Sequence, residues 1–251
     1  MAAALAQQIS DCLRTCINGL SERYEPPVRH HLSKVYMIMG GAAAATAAGA
    51  VLQMDGFVDL GMLAAVLTLL LAATLHFCKD VGNNYRIRLG VLHAFGFFSG
   101  QTLGPLLGYV ASIDAVLVVA ALLGTVVTFL TLSLVALWAE QGKYLFIGGS
   151  LVSVINTMAV LGLVNMVFNS FAVQMGQLLV GVLVVAAFVV YDTQDIVLKC
   201  RSGDHDAVQH AMDLFFDILS MFRRVVLVLK HRHERAHKQR RNSNKIPSSR
   251  F

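Results

Sequence analysis

The chain has 251 residues, of which 56% are hydrophobic and only 14% charged, with a formal net charge of +5 and a mean hydropathy of +0.64. Soluble domains carry about 25% charged residues, so this composition excludes an ordinary soluble domain and a polar disordered chain. The length suits one membrane bundle rather than two domains.

Residues 1–33 precede the bundle as a cytosolic segment. Leu5, Ile9, Leu13, Ile17 and Leu20 recur at helical steps, which predicts an amphipathic helix lying on the membrane. Pro26-Pro27 ends it. The first 30 residues lack a basic-then-apolar leader, so the first span is expected to target the chain itself. Six apolar runs follow, at 35–54, 57–78, 89–111, 113–138, 144–168 and 172–191, each near or above the ~20 residues that cross the hydrocarbon. Such runs must be helical, because a lone strand would leave its backbone unpaired in lipid. A seventh run, 207–229, is broken by Asp213, Asp217, Arg223 and Arg224. The predicted fold is all-α: a polytopic membrane helical bundle over residues 34–229, with six transmembrane helices plus a seventh spanning or re-entrant segment. Gly40, Gly41 and alanines 42–45 in the first span, with Gly148, Gly149 and Ser150 in the fifth, favour close helix approach. Pro105, after Gly100 and Gly104, predicts a kinked or widened third helix.

Basic residues orient the bundle. Arg14, Arg23, Arg29 and Lys34 precede the first span, and Lys79, Arg86, Arg88, Lys143, Lys199 and Arg201 fall in alternate loops. The loops around 54–58, 111–113 and 169–172 carry none. Positive residues stay cytosolic, which places the N-terminus in the cytosol. Residues 230–251 form a basic tail with eight Lys and Arg and one acid, Glu234. Its charge density favours a cytosolic C-terminus and a seventh segment that re-enters. No aromatic residue interleaves the charges, so the tail is read as a disordered strip beside anionic lipid, with no nucleic acid as partner. Cys12, Cys16, Cys78 and Cys200 all fall on the cytosolic side, where thiols stay reduced. Their spacing does not match a zinc motif.

The unusual residues are acids. Asp192 and Asp195 follow the uncharged run 171–191, and Asp213 and Asp217 lie four apart in the seventh segment. An Asp at the bilayer centre costs roughly 2.5–3.5 kcal/mol on insertion scales. Asp217, flanked by Phe215, Phe216, Ile218 and Leu219, enters the membrane if its segment does. Asp192 would sit at the helix C-terminus, against the negative end of the dipole. Asp195 and Asp213 are explained as boundary charges, although Asp213 shares the helix face of Asp217. Two close carboxylates in poor solvent do not both ionise cheaply. Their ionised form attracts a hard cation, but two carboxylates fall short of the six to eight oxygens of a tight calcium site, so Asp192 and Asp217 would hold calcium weakly and transiently. His93 in the third span is read as a structural hydrogen bonder, and His205 and His210 as sources of pH sensitivity.

YDTQDI at 191–196, DLFFD at 213–217, FFSGQTLGP at 97–105, RIRLG at 86–90 and YLFIGG at 144–149 resemble the Bax inhibitor-1 family, in order and over about residues 30–230. The resemblance implies a six- or seven-helix protein of the endoplasmic reticulum that suppresses cell death and lets calcium leak under pH control. It implies that Asp192 and Asp217 form a di-aspartyl sensor, with Asp213 beside it, and that Arg88 is a latch on the acids. Calcium would be the transported ion, and no cofactor is expected. The expected partners are calcium, protons, membrane lipids, Bcl-family proteins and stress-sensor membrane proteins. Two other readings share these residues: a non-conducting scaffold that acts through such partners, and a cation/proton antiporter, which the absence of an internal repeat weakens. An intramembrane aspartyl protease also uses two Asp, but its GxGD context is absent, and the chain is not expected to be an enzyme.

Overall fold

A computed structural model describes residue 19, residues 22–78, residue 82 and residues 84–243. The described residues form helices and no strand. They are α1 (Pro26–Met54), α2 (Met62–Phe77), α3 (Tyr85–Trp138), a 3-10 turn (Leu145–Ile147) leading into α4 (Gly148–Phe168), α5 (Phe171–Arg201) and α6 (Ala207–Ser243). The stripe at residues 5–20, Cys12, Cys16 and the chain beyond 243 lie outside the described residues.

The all-α membrane bundle is present. α1, α3, α4 with its 3-10 turn, and α5 are long and apolar enough to cross a membrane, and α2 is a shorter apolar helix. α3 holds two of the predicted spans. Asp114 has extended backbone between them (φ −162°, ψ 111°), and its Oδ1 accepts a hydrogen bond from Val116 N at 2.9 Å. It thereby ends the limb 85–113 and caps the limb 115–138. The kink expected at Pro105 falls here instead, and Pro105 sits within helical backbone.

The outer surface is apolar, with Met62, Phe77, Met166, Val167 and Phe168 all more than three-quarters exposed. Several hydroxyls on the spans bond within their own helix, as Thr68 does to Ala64 O at 2.7 Å and Thr131 to Val127 O at 2.8 Å. In lipid no water would satisfy them otherwise.

α1 and α3 are in close contact, and glycine makes this possible. A Cβ on Gly96 would lie 2.5 Å from Ala42 O, and Cβ atoms on Gly100 and Gly49 would collide with Thr46 O and Phe97 O. Of the small residues singled out in the sequence, Gly41 meets His93 and Gly148 meets Tyr191, whereas Gly40 and Gly149 face open space.

α6 is the central helix, packed against α1, α3 and α5. Its apolar face buries Val208, Ala211, Met212, Leu214, Phe215, Met221 and Val226. At one end His210 Nδ1 meets His31 Nε2 at 2.9 Å. At the other, Lys230 Nζ stands over the Tyr109 ring at 4.4 Å, and Arg235 and His231 approach Phe171. From Ala207 to Lys230 the helix rises about 35 Å. The seventh segment therefore runs the full depth of the bundle.

The structure corrects one expectation about the tail, its disorder. Lys34, Tyr85, Arg88, Gln141 and Arg201 gather at the basic end, but residues 230–235 emerge at the opposite end. The basic stretch is helical as far as Ser243 rather than disordered. It is rich in good helix formers and carries an i,i+4 pair, Lys230–Glu234 at 3.9 Å. Arg224 of α6 packs on Gly181 of α5, whereas Arg223 is exposed.

Candidate functional site

α5 does not stop at Tyr191. It continues for ten residues to Arg201, so Asp192 lies inside a helix and not at its C-terminus. The buried residues Thr193, Gln194, Ile196, Val197 and Cys200 give this extension an inward face. Thr193 donates to Val189 O at 2.6 Å. Gln194 braces the helix against the α3–α4 connection: Tyr144 N donates to Gln194 Oε1 at 3.0 Å, and Gln194 Nε2 donates to Ala136 O and Glu140 O at 3.1 Å each. Two residues apart on a helix, Asp192 and Gln194 face different ways, so Gln194 braces the α3–α4 connection while Asp192 turns toward α6.

Asp217 lies ten residues into α6, about 15 Å from its start, and Asp192 lies about 13 Å before the end of α5. The two acids are therefore level, below the 202–206 turn that joins their helices. Their carboxyl groups face each other closely enough to interact, with Asp213 near enough to act on both electrostatically. Two carboxyl groups this close in a buried site do not both ionise cheaply. Asp217 is only 8% exposed, and its Oδ2 is buried with no partner. The structure thus brings together Asp192 and Asp217, 25 positions apart in sequence.

The other acids behave differently. Asp195 forms an ion pair with Lys199 at 2.7 Å on a partly exposed face, as a boundary charge would. Asp213 accepts a hydrogen bond from Gln209 Nε2 at 3.3 Å. Arg88 does not reach Asp192 or Asp217: its Nη1 pairs with Asp206 Oδ2 at 2.6 Å, and the Arg88 side chain is 4% exposed. The latch expected on the acid pair thus closes on the α5–α6 turn in this structure. Asp206 was not singled out in the sequence because it sits in a polar SGDHD loop, where an acid carries no signal. His93 Nδ1 bonds Leu89 O at 2.7 Å, a structural contact within its own helix.

Cavities flank the pair. At the basic end, a cleft of about 670 Å³ is lined by His76, Asp204, His205, Asp206 and Gln209. Further along α6, a cavity of about 570 Å³ between α4, α5 and α6 is lined by Gln177, Ser220, Arg223 and Arg224. The acids at 213 and 217 fall between Gln209 and Ser220, and so separate these spaces along the helix.

Residues 28–234 match the profile of a family described as inhibitor of apoptosis-promoting Bax1. The chain is 63% identical over 241 residues to Bax inhibitor 1 of Drosophila melanogaster, covering 96% of this chain and 98% of that protein. It is 34% identical over 205 residues to Bax inhibitor 1 of Homo sapiens, covering 81% and 86%. It is 30% identical over 218 residues to Bax inhibitor 1 of Oryza sativa subsp. japonica, covering 86% of each. With that extent of match over the whole bundle, this multi-pass membrane chain belongs to the Bax inhibitor-1 family.

Proposed function

We propose that the protein is a pH-sensitive calcium leak channel of the endoplasmic reticulum membrane and a suppressor of apoptotic cell death, with the Asp192–Asp217 pair as its gate. Family membership supports the death-suppressing role. The observation that carries the gate is the juxtaposition of the Asp192 and Asp217 carboxyl groups across α5 and α6, with Asp217 buried, between two clefts. While one proton is shared, the pair links the two helices. Loss of that proton leaves two like charges in contact, which repel and attract a hard cation. Two carboxylates hold calcium too weakly to retain it, which suits passage. Asp213 supplies a third charge on the same helix face.

In this reading Arg88 acts on the gate indirectly. It holds Asp206, and so fixes the turn through which α5 and α6 move relative to one another. The partners are calcium, protons and lipid, with Bcl-family and stress-sensor membrane proteins on the death-suppressing side.

The test is calcium efflux from liposomes carrying the purified protein, between about pH 5.5 and 8, where two close carboxylates in poor solvent change their shared charge. The expected flux changes across this window in the wild type and becomes flat in Asp217→Asn. A wild-type flux no greater than that of empty liposomes sinks the leak reading. A pH response that survives both Asp192→Asn and Asp217→Asn sinks the gate.

A further inference from the structure

The fold gathers a second group of side chains that the acid pair does not use. His31 comes from the first turns of α1, Cys200 from the last turn of α5 and His205 from the turn into α6; one ligand atom from each lies within 4.8 Å of the others. His31 and Cys200 are buried, at 6% and 4% exposure, while His205 is exposed and lines the cleft at the basic end. We propose that His31, Cys200 and His205 form a binding site for a borderline-soft divalent transition metal, of which zinc is the type, and that His210 orients His31 within it.

The donor set is one thiol and two imidazoles, which suits zinc and not calcium or magnesium. Cys200 Sγ and His205 Nδ1 are 3.6 Å apart. With zinc–sulfur and zinc–nitrogen bonds of about 2.3 and 2.0–2.1 Å at tetrahedral angles, a ligand sulfur and nitrogen stand about 3.5 Å apart. This edge is already at its bound length. Two nitrogens on one zinc would stand about 3.3 Å apart, a closure within reach of the exposed His205 ring. With three protein ligands a fourth position would be left for water, and His205 lines the cleft from which water would come. The thiol proton leaves to solvent when the metal binds.

The surroundings of His31 add an independent argument. Its Nε2 is 2.9 Å from His210 Nδ1, and His210 Nε2 is 3.9 Å from Asp204 Oδ2. His210 is 1% exposed, and its Nε2 is buried without a hydrogen-bond partner. If His31 binds metal through Nδ1, its Nε2–H donates to His210 Nδ1, and the remaining His210 proton sits on Nε2, facing the Asp204 carboxylate. One set of tautomers satisfies the whole chain. Ligating histidines usually have such a partner for the second nitrogen. Ligands drawn from positions 31, 200 and 205 also explain why no spacing motif reveals the site.

The experiment uses the full chain purified in detergent and titrated with zinc in competition with a chromogenic chelator. Cobalt serves as the spectroscopic probe. The parent is a variant lacking Cys12, Cys16 and Cys78, so that Cys200 is the remaining thiol. The expected result is one metal per chain, with a thiolate-to-cobalt charge-transfer band and the visible spectrum of four-coordinate cobalt. Cys200→Ser abolishes the band. His205→Ala, at an exposed position that does not endanger folding, weakens binding by more than about 100-fold, and His210→Ala weakens it by about 10–100-fold. Two results overturn the proposal: no stoichiometric binding by the parent, or binding that Cys200→Ser and His205→Ala both leave intact.

Discussion

Gln194 shows how one side chain sets the geometry of the site. Its amide holds Tyr144 N, Ala136 O and Glu140 O at once, and it is 5% exposed. Removing it leaves buried backbone groups unpaired and loosens the turn of α5 that carries Asp192. Gln194→Ala is expected to cost about 1–3 kcal/mol of stability, from the net worth of three hydrogen bonds, read as a lower Tm in detergent. It should also change the pH response of calcium flux without removing a carboxylate. The acids themselves were legible: a chain with so little charge that retains Asp217 among Phe215, Phe216 and Ile218 marks that residue by its insertion cost alone. Gln194, by contrast, is an uncharged amide between two aspartates, and nothing in its neighbours shows that it reaches the α3–α4 connection.

At the level of elements, the α1–α3 contact depends on backbone meeting backbone at Gly96, Gly100 and Gly49. Gly100→Ala would drive a methyl group into Thr46 O, a helix backbone atom that cannot swing aside. Overpacking of this kind typically costs about 1–3 kcal/mol, and thermal unfolding in detergent should show it. Gly40→Ala is the matched control, because a Cβ there meets nothing within 4 Å; it should be neutral or stabilising by up to about 1 kcal/mol, from helix propensity. If both substitutions behave alike, the glycine contact is not what holds the pair of helices. The six spans were visible as apolar runs, whereas helix ends were not. α5 outlasts its apolar run by ten residues and α6 extends through the basic stretch. A hydropathy run reports where lipid begins, and a helix continues for as long as its residues pack or carry good propensity.

For the whole molecule, the path of α6 sets which face each end occupies. Cys78 follows α2 at the basic end, and Arg232 is exposed at the opposite end, next to Lys230 and its Tyr109 contact. In sealed vesicles, an impermeant thiol reagent should label Cys78 and an Arg232→Cys variant from opposite sides, each in a background without other cysteines. Labelling of both from one side would refute the full crossing. The charge rule predicts labelling of both from one side. It counts loop charges against the translocation machinery, whereas the central position of α6 comes from burying its apolar face between α1, α3 and α5.

Composition and periodicity alone were enough to establish a membrane bundle of helices, its six apolar spans and the acids worth asking about, since each of these is a local property that lipid imposes on any chain. Which acids touch, what Arg88 holds, how far the seventh helix runs and that His31 meets Cys200 and His205 are all contacts between distant positions. Those depend on how helices are placed side by side. In this chain that placement is set by backbone approach at a few glycines and by the burial of α6, and neither leaves a mark in the linear order of residues.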